Sequence, residues 1–517
     1  MLPDHLTPLF IFNFNIMVKR VFIITLLFSL LWFLSERLHA LYPIQENRVL
    51  TKAPELSIAR LLSREYFTLW EKYLNDHFLF RNSLIRSKSW VDYYVFSISP
   101  SPDVIIGKNN WLFLKEEMVD FRKEGCQERF HMKLLVQKLQ DLEKVLEQSG
   151  KKFIFLVPPN KSTIYPEMVN LKYSKGQCDK SKYDLFLEAL KEFPVKSFLR
   201  LDPLLKAERE IHDVFYKTDT HWNIYGANVA IQGILHELAL TPIEGNLPFI
   251  EISSCINNGD LAKLMALNLN VKESCPAIHH RSRIQVDNLK PLQNGRPRVR
   301  TRVIQAADPL LPSALFFHDS FMDLPIEILE GTFSKVSTYW SAQPFIPQAA
   351  EDIINSKIIV IEAQERYLDW EWIDVRGIEF LLHPFKDKEV EKTFNTHVVQ
   401  GSHFIEEKRW KEGIREIQEA VRLRPDYVSG YKYIAIAFQS AGSLNEAIDA
   451  YHKVVELDPY DPFAHYGLGV LFQRRGNNQE ALSEFRSFID LALPAYYQSY
   501  IEQAESFILT LQKKAVS

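Results

Sequence analysis

Only four cysteines occur in the 517 residues, and no two form a CxxC pair, so the usual zinc-ligand spacings are missing. Neither sign of charge dominates. Lys and Arg number 61 against 65 Asp and Glu, a formal net charge of −4, without the basic excess that a nucleic-acid binder shows. No P-loop or other Gly-rich phosphate cradle is present. Long apolar runs are nearly absent too: a single one, Val21–Leu34, stands near the N-terminus.

What remains is an ordinary globular balance, 46% hydrophobic and 24% charged, in a chain too long for one core, so two or more domains are expected. Aromatic residues, at 13%, fit a sugar-handling surface and a large core equally well.

The apolar run VFIITLLFSLLWFL follows Lys19-Arg20 and precedes Ser35-Glu36-Arg37. It is short for a membrane span, which needs roughly 20 apolar residues, but extension to Ile16 or Leu41 brings it close. We read residues 18–42 as a transmembrane signal anchor after a short cytoplasmic stretch, 1–17. Leu38-His39-Ala40 would equally serve as the cleavage site of a signal peptide, with Met17 as an alternative start. A buried core helix is the third reading. Either of the first two exports everything beyond residue 42. Arg37, Arg48 and Lys52 lie on the exported side, so charge alone gives little support to that orientation. Cys126, Cys178, Cys255 and Cys275 all follow the run. Their even number is compatible with two disulfides, Cys126–Cys178 and Cys255–Cys275, and also with four buried thiols.

The C-terminal part repeats. Pro425 and Pro459 are 34 residues apart, as are Gly442 and Gly476, and Glu446-Ala447-Ile448 recurs as Glu480-Ala481-Leu482. Tyr431, Ile434, Ala435 and Phe438 follow the i, i+3, i+4, i+7 spacing of one helix face. A helix–turn–helix unit of this period resembles the tetratricopeptide (TPR) repeat, with about three units between 391 and 493 and a capping helix over Pro494–Lys514. Residues 390–517 are therefore expected to form an all-α solenoid that binds a protein or peptide.

Residues 43–385 read differently. Leu135, Leu139, Leu142 and Leu146 make a helical stripe that stops at Gly150, and Phe153–Val157 follows as a buried strand. Phe198–Leu201, Ala314–Phe317 and Ile358–Ile361 are further short apolar strands between helical stretches. The alternation predicts an α/β domain, a parallel sheet flanked by helices on both faces, with ligand groups beyond the carboxyl ends of the strands.

Two segments at such ends carry chemistry. In FYKTDTHWNIYGA, Asp219 and His221 precede a helix expected from about Trp222 to Leu238; in ALFFHDSF, an apolar strand delivers Ser320 to a turn. A serine hydroxyl needs a base to take its proton, and the base needs an acceptor that fixes its tautomer. Ser320, His221 and Asp219 supply these roles. Taken singly, each piece also reads as a helix cap: Asp319-Ser320 for one helix, Asp219 or Thr220 for the other.

TDTHWN joined to a later DSF serine resembles the AlgX/AlgJ alginate O-acetyltransferase family, relatives of the SGNH hydrolases with a permuted motif order. Asn47-Arg48, Asp76-His77 with Arg81, GKNNWLF at Gly107–Phe113, PPNKSTIYPE at Pro158–Glu167, GDLAKLM at Gly259–Met265 and EAQERY at Glu362–Tyr367 extend the likeness over about residues 43–370. The resemblance implies Ser320 as nucleophile, His221 as general base and Asp219 as its orienter, in acetyl transfer to a polysaccharide hydroxyl through an acetyl-serine. No cofactor is implied. The implied partners are the polysaccharide acceptor and a membrane-bound O-acyltransferase that hands acetyl groups across the inner membrane, with the bulk of this chain periplasmic. His318 stands where the family's GDS block has glycine, and it offers a second imidazole. Lys161, Tyr165, His318 and Arg366 are candidate substrate-binding residues; structural roles are equally open, for Arg366 a pairing with Glu362 or Glu365. The same three catalytic residues would serve a carbohydrate esterase, and a non-catalytic TPR scaffold of a polysaccharide assembly is the other alternative.

Overall fold

The computed structural model describes residues 51–55, 63–77, 81–121, 129–170, 179–239, 251–257, 259–279, 301–305, 311–340, 349–368, 373–383, 386–492 and 494–516. The expected anchor at 18–42 lies outside the described residues, as do Cys126 and Cys178. Among the described residues, no helix is long and apolar enough to cross a membrane.

Two short strands, β1 (Val104–Ile106) and β2 (Leu112–Leu114), open the α/β domain as an antiparallel hairpin. Among the described residues the central sheet has six strands: β3 (Lys152–Leu156), β4 (Phe198–Leu199), β7 (Thr301–Gln305), β8 (Ala314–His318), β9 (Lys335–Trp340) and β10 (Ile358–Glu362). Their order is β4-β3-β10-β8-β9-β7; all pairings are parallel except that of β7 with β9 at the edge. A second antiparallel hairpin joins β5 (Glu251–Asn257) to β6 (Glu273–His279), and its register sets Cys255 opposite Cys275.

The two faces of the sheet are both covered, as expected for strands that read as continuous apolar runs. Ile154, Leu156, Phe316 and Val360 point to one side, where the helix Ile224–Glu237 packs with Ile231 and Ile234. Phe153, Phe155, Phe317 and Ile361 alternate to the other side. There the helix Arg129–Gln148 lays down Leu135, Leu139, Leu142 and Leu146, the stripe foreseen from the sequence.

The solenoid contains three helix pairs: Lys388–Glu406 with Trp410–Leu423, Val428–Ala441 with Leu444–Leu457, and Pro462–Arg475 with Asn478–Leu491, followed by Pro494–Val516. Gly442 and Gly476 end the first helices of the second and third pairs with φ of 83° and 85°. Those left-handed C-caps explain why glycine recurs there. The array is docked on the α/β domain. Leu491 joins the core beneath Leu135 and Phe186, and His131 Nε2–H donates to the Asp490 carbonyl at 2.7 Å. Arg424 donates to the His383 carbonyl at 3.0 Å and lies 4.0 Å above the Phe380 ring.

Candidate active site

Strand β8 ends at His318, and the chain turns at once into a 3₁₀ segment, Ser320–Met322, capped by Asp319, whose carboxylate accepts the Phe321 N–H at 2.8 Å. Asp319 is thus the cap, which leaves the Ser320 hydroxyl for other work. The second segment is a narrow hairpin. Phe215 bridges Trp222, Tyr216 N–H donates to the His221 carbonyl, and Asn223 N–H donates to the Val214 carbonyl. Asn223, not Asp219 or Thr220, caps the following helix, accepting from Tyr225 N–H at 2.9 Å, so that helix begins at Ile224. Trp222 Nε1–H donates to the Phe321 carbonyl at 2.9 Å and clamps the hairpin to the serine turn.

The clamp brings three side chains into line. His221 Nδ1 lies 2.6 Å from Asp219 Oδ1, and Nε2 lies 2.7 Å from Ser320 Oγ. An ionised carboxylate only accepts, so Nδ1 carries the proton and Nε2 is left to accept from the serine hydroxyl. Asp219 is held well below the ordinary carboxylate range. Burial alone would raise it; the hydrogen bond and charge of His221 and the N–H groups of Asp260 and His221 outweigh burial. The His221 imidazole is raised. Burial works against protonation there, but Asp219, then Asp260 and Asp319, favour it more strongly.

Three residues outside the candidate set hold the hairpin and the serine turn. Asp260 donates its backbone N–H to Asp219 Oδ2 at 2.9 Å and accepts from Thr220 N–H at 2.8 Å and from Thr220 Oγ1 at 2.5 Å. Glu273 accepts from Lys217 N–H and Thr218 N–H, each at 2.8 Å. Glu362, at the end of β10, accepts from Asp319 N–H at 2.7 Å; burial and then the Asp319 charge push its carboxyl well above the ordinary range. Gly259 admits the close approach, since a Cβ there would sit 2.0 Å from the Thr218 carbonyl oxygen. The GDL triplet was the one signal that could have pointed to Asp260.

Two candidate substrate residues are corrected. Lys161 is 0% exposed and spends its ammonium on the carbonyls of Asp219 (2.7 Å), Tyr216 (3.2 Å) and Lys217 (3.4 Å). Burial lowers its pKa, against the nearby carboxylates. Tyr165 is buried as well; its hydroxyl accepts from Val214 N–H at 2.9 Å, and burial first of all pushes it up to about 12. Both residues brace the hairpin from within and present no open surface. His318 is buried with Nδ1–H on the Asp319 carbonyl at 2.7 Å, and the imidazole in contact with Ser320 is that of His221. Arg366 differs: half-buried, it lies 5.9 Å from the Phe321 ring centre. Its ion-pair partner is Glu116 at 3.8 Å, whereas Glu365 turns to Asn160 N–H and Thr163, so the expected pairing with Glu362 or Glu365 is replaced.

Asp219, His221 and Asp260 each offer a ligand atom within 4.8 Å of the others. The set fits a cation poorly, because N–H and O–H donors already point at both Asp260 oxygens and both Asp219 oxygens and His221 Nε2 faces Ser320. The arrangement suits proton removal from an alcohol instead.

Residues 104–286 match the family described as "SGNH hydrolase-like domain, acetyltransferase AlgX", and residues 437–476 match a TPR repeat. The family match includes Asp219, His221 and Asp260 and stops before Ser320. The chain is 28% identical over 176 residues to the probable alginate O-acetylase AlgJ of Pseudomonas syringae pv. tomato, covering 34% of this chain and 43% of the relative. It is 25% identical over 259 residues to the protein of the same name from Pseudomonas putida, covering 49% and 60%. The chain thus spans about half the length of the curated relatives it matches. Among solved structures, the O-acetyltransferase domain of Pseudomonas putida AlgJ aligns with a TM-score of 0.34 at 19% identity, covering 54% of this chain and 99% of that one. Residues 104–286 are thus similar to the SGNH hydrolase-like AlgX acetyltransferase family, and residues 437–476 to a tetratricopeptide repeat.

Proposed function

We propose that the protein is an O-acetyltransferase that moves acetyl groups onto hydroxyls of a polysaccharide, with Ser320 as nucleophile, His221 as general base and Asp219 as orienter. The observation that carries this reading is the continuous line from Asp219 through His221 to Ser320, at 2.6 and 2.7 Å. Ser320 Oγ attacks the carbonyl carbon of an acetyl donor as its proton passes to His221 Nε2. Asp219 stabilises the imidazolium that forms. The proton then goes to the departing donor group, which leaves acetyl-Ser320 and a neutral imidazole. An acceptor hydroxyl enters, gives its proton to His221 and takes the acetyl group, and the serine is restored. Arg366, beside the Ser320 turn, binds oxygen atoms of the acceptor.

We further read Val21–Leu34 as part of an anchor in the cytoplasmic membrane, with the remainder of the chain periplasmic. The acetyl donor is a membrane-bound O-acyltransferase, and the solenoid holds a protein or peptide partner. The family match over 104–286 and the AlgJ relatives support acetyl transfer over hydrolysis.

The test is to incubate the full chain with an activated acetyl ester, with and without an acceptor oligosaccharide. Expected are an acetyl group on the Ser320 peptide, acetylated oligosaccharide when acceptor is present, and loss of both in Ser320→Ala, by a factor on the order of 10³ or more. Free acetate as the sole product, whatever the acceptor concentration, would make the protein an esterase. Unchanged acetylation in Ser320→Ala would leave only the scaffold role.

A further inference from the structure

The helices Arg64–Asp76 and Arg81–Tyr94 carry an apolar surface that the α/β core does not use. The second helix packs inward through Ser89 and Tyr93, the latter in a small core with Val104, Leu112 and Leu261. On its opposite side Leu84, Val91 and Val95 stand at i, i+7 and i+11, a single stripe, flanked by Trp90 and Tyr94 with ring centres 5.3 Å apart. Leu84 is 58% exposed, and the turn after the helix adds Phe96 at 60% and Ile98 at 59%. On the first helix Phe67 and Leu74, again seven apart, are exposed, while Tyr66 and Asp76 face inward. A concentration of exposed aromatic and branched side chains on this scale marks a contact surface.

The position of the chain's entry limits how far these helices can stand from the N-terminal apolar run. Thr51 N–H donates to Asp76 Oδ2 at 2.9 Å, and Tyr66 Oη–H donates to the Glu55 carbonyl at 2.9 Å. The polypeptide arriving from the N-terminal apolar run is thus tied to the end of the first helix, beside the start of the second. From Leu34 to Thr51 the chain spans at most about 60 Å fully extended. Trp, Tyr and Phe beside aliphatic side chains are the composition that settles at the headgroup boundary of a bilayer. A protein groove would instead take a few anchors into fitted pockets.

We propose that the Leu84–Val91–Val95 face with Trp90, Phe96 and Ile98 seats on the outer surface of the cytoplasmic membrane and fixes the tilt of the α/β domain beside its anchor. The proposal rests on the reading of Val21–Leu34 as a membrane segment. In the test, the full chain carries the photoreactive residue p-benzoylphenylalanine in place of Leu84, Phe96 or, as a control on the distant solenoid, the exposed Val399. It is reconstituted into vesicles of phosphatidylethanolamine and phosphatidylglycerol and illuminated. Lipid adducts are expected at 84 and 96, several-fold above those at 399, with the protein retained in the vesicle pellet after an alkaline carbonate wash. Retention without lipid adducts at 84 and 96 overturns the seating and leaves the anchor standing. Adducts to a second copy at those positions overturn it in favour of a dimer face. Release into the wash, with no lipid adducts, overturns anchor and seating together.

Discussion

Asp260 holds Asp219 with its backbone and Thr220 with its side chain, N–H to Oδ2 at 2.9 Å in the first case and Oδ1 from N–H at 2.8 Å in the second. The two bonds fix Asp219 and Thr220, the two residues that immediately precede His221 and aim it at Ser320. Asp260→Ala removes the acceptor for Thr220 and keeps the backbone donor for Asp219. We expect kcat to fall on the order of 10²-fold, the cost of a catalytic group displaced by about an ångström, with the acceptor KM unchanged. Asp260→Asn retains an acceptor oxygen and should keep most of the activity. Wild-type kcat in the alanine variant would show the bond to be idle.

The same aspartate sets a pH dependence. In the proposed mechanism His221 must be neutral to accept the serine proton, and its pKa is raised above the ordinary 6.5, burial being outweighed by Asp219 and then by Asp260 and Asp319. Activity should therefore rise with pH through a midpoint above 6.5. Removing one of the raising charges in Asp260→Asn should move that acid limb to lower pH. The pH profile of kcat/KM for the two proteins decides it; an unmoved limb would mean that the titrating group is not His221.

How much of this could be read from the chain is itself a matter of physics. Asp219 and His221 were legible because they share one short segment, and Ser320 because an apolar strand ends just before it. The repeats were legible because a 34-residue period survives any single substitution. Asp260 and Glu273 were not, since they reach the hairpin from 40 to 56 residues away in segments with no periodicity of their own. Strand β9 was missed because KVSTYW carries polar residues into a buried position, where Ser337 Oγ–H is satisfied by Asp352 at 2.8 Å. For Lys161 the sequence leaves substrate contact and a structural role equally open, and the three carbonyls around its ammonium favour internal bracing.

That bracing can be measured. Lys161→Met leaves the carbonyls of Asp219, Tyr216 and Lys217 buried without their donor, at about 1–3 kcal/mol for each buried acceptor that finds no replacement. We expect a lower denaturation midpoint for the α/β domain and a lower kcat, with the acceptor KM within about twofold of wild type. A raised KM with unchanged stability would restore Lys161 as a substrate contact. The two variables separate the roles cleanly.

The solenoid contains a pH-dependent contact of its own. His465 donates from Nδ1 to Glu484 Oε2 at 2.7 Å and from Nε2 to the Pro459 carbonyl at 3.2 Å, so both ring nitrogens face acceptors and the imidazolium is favoured. Its pKa is raised, with burial opposing and Glu484 and the Pro459 carbonyl prevailing. A group raised on folding stabilises the fold fully below its unfolded pKa, near 6.5, and loses that contribution as pH rises through the folded value. Glu484→Gln should therefore destabilise the helix pair Pro462–Arg475 and Asn478–Leu491 by about 1.5 kcal/mol at pH 6, the range for a hydrogen bond to a charged group, and by less at pH 9. The same bond recurs two periods earlier as His397–Glu416 at 2.8 Å, where the imidazole is more open to water, 25% against 11%, and Glu416→Gln should cost less. Urea titrations of the solenoid transition at the two pH values provide the comparison. An equal loss at both values would mean that His465 binds Glu484 as a neutral ring.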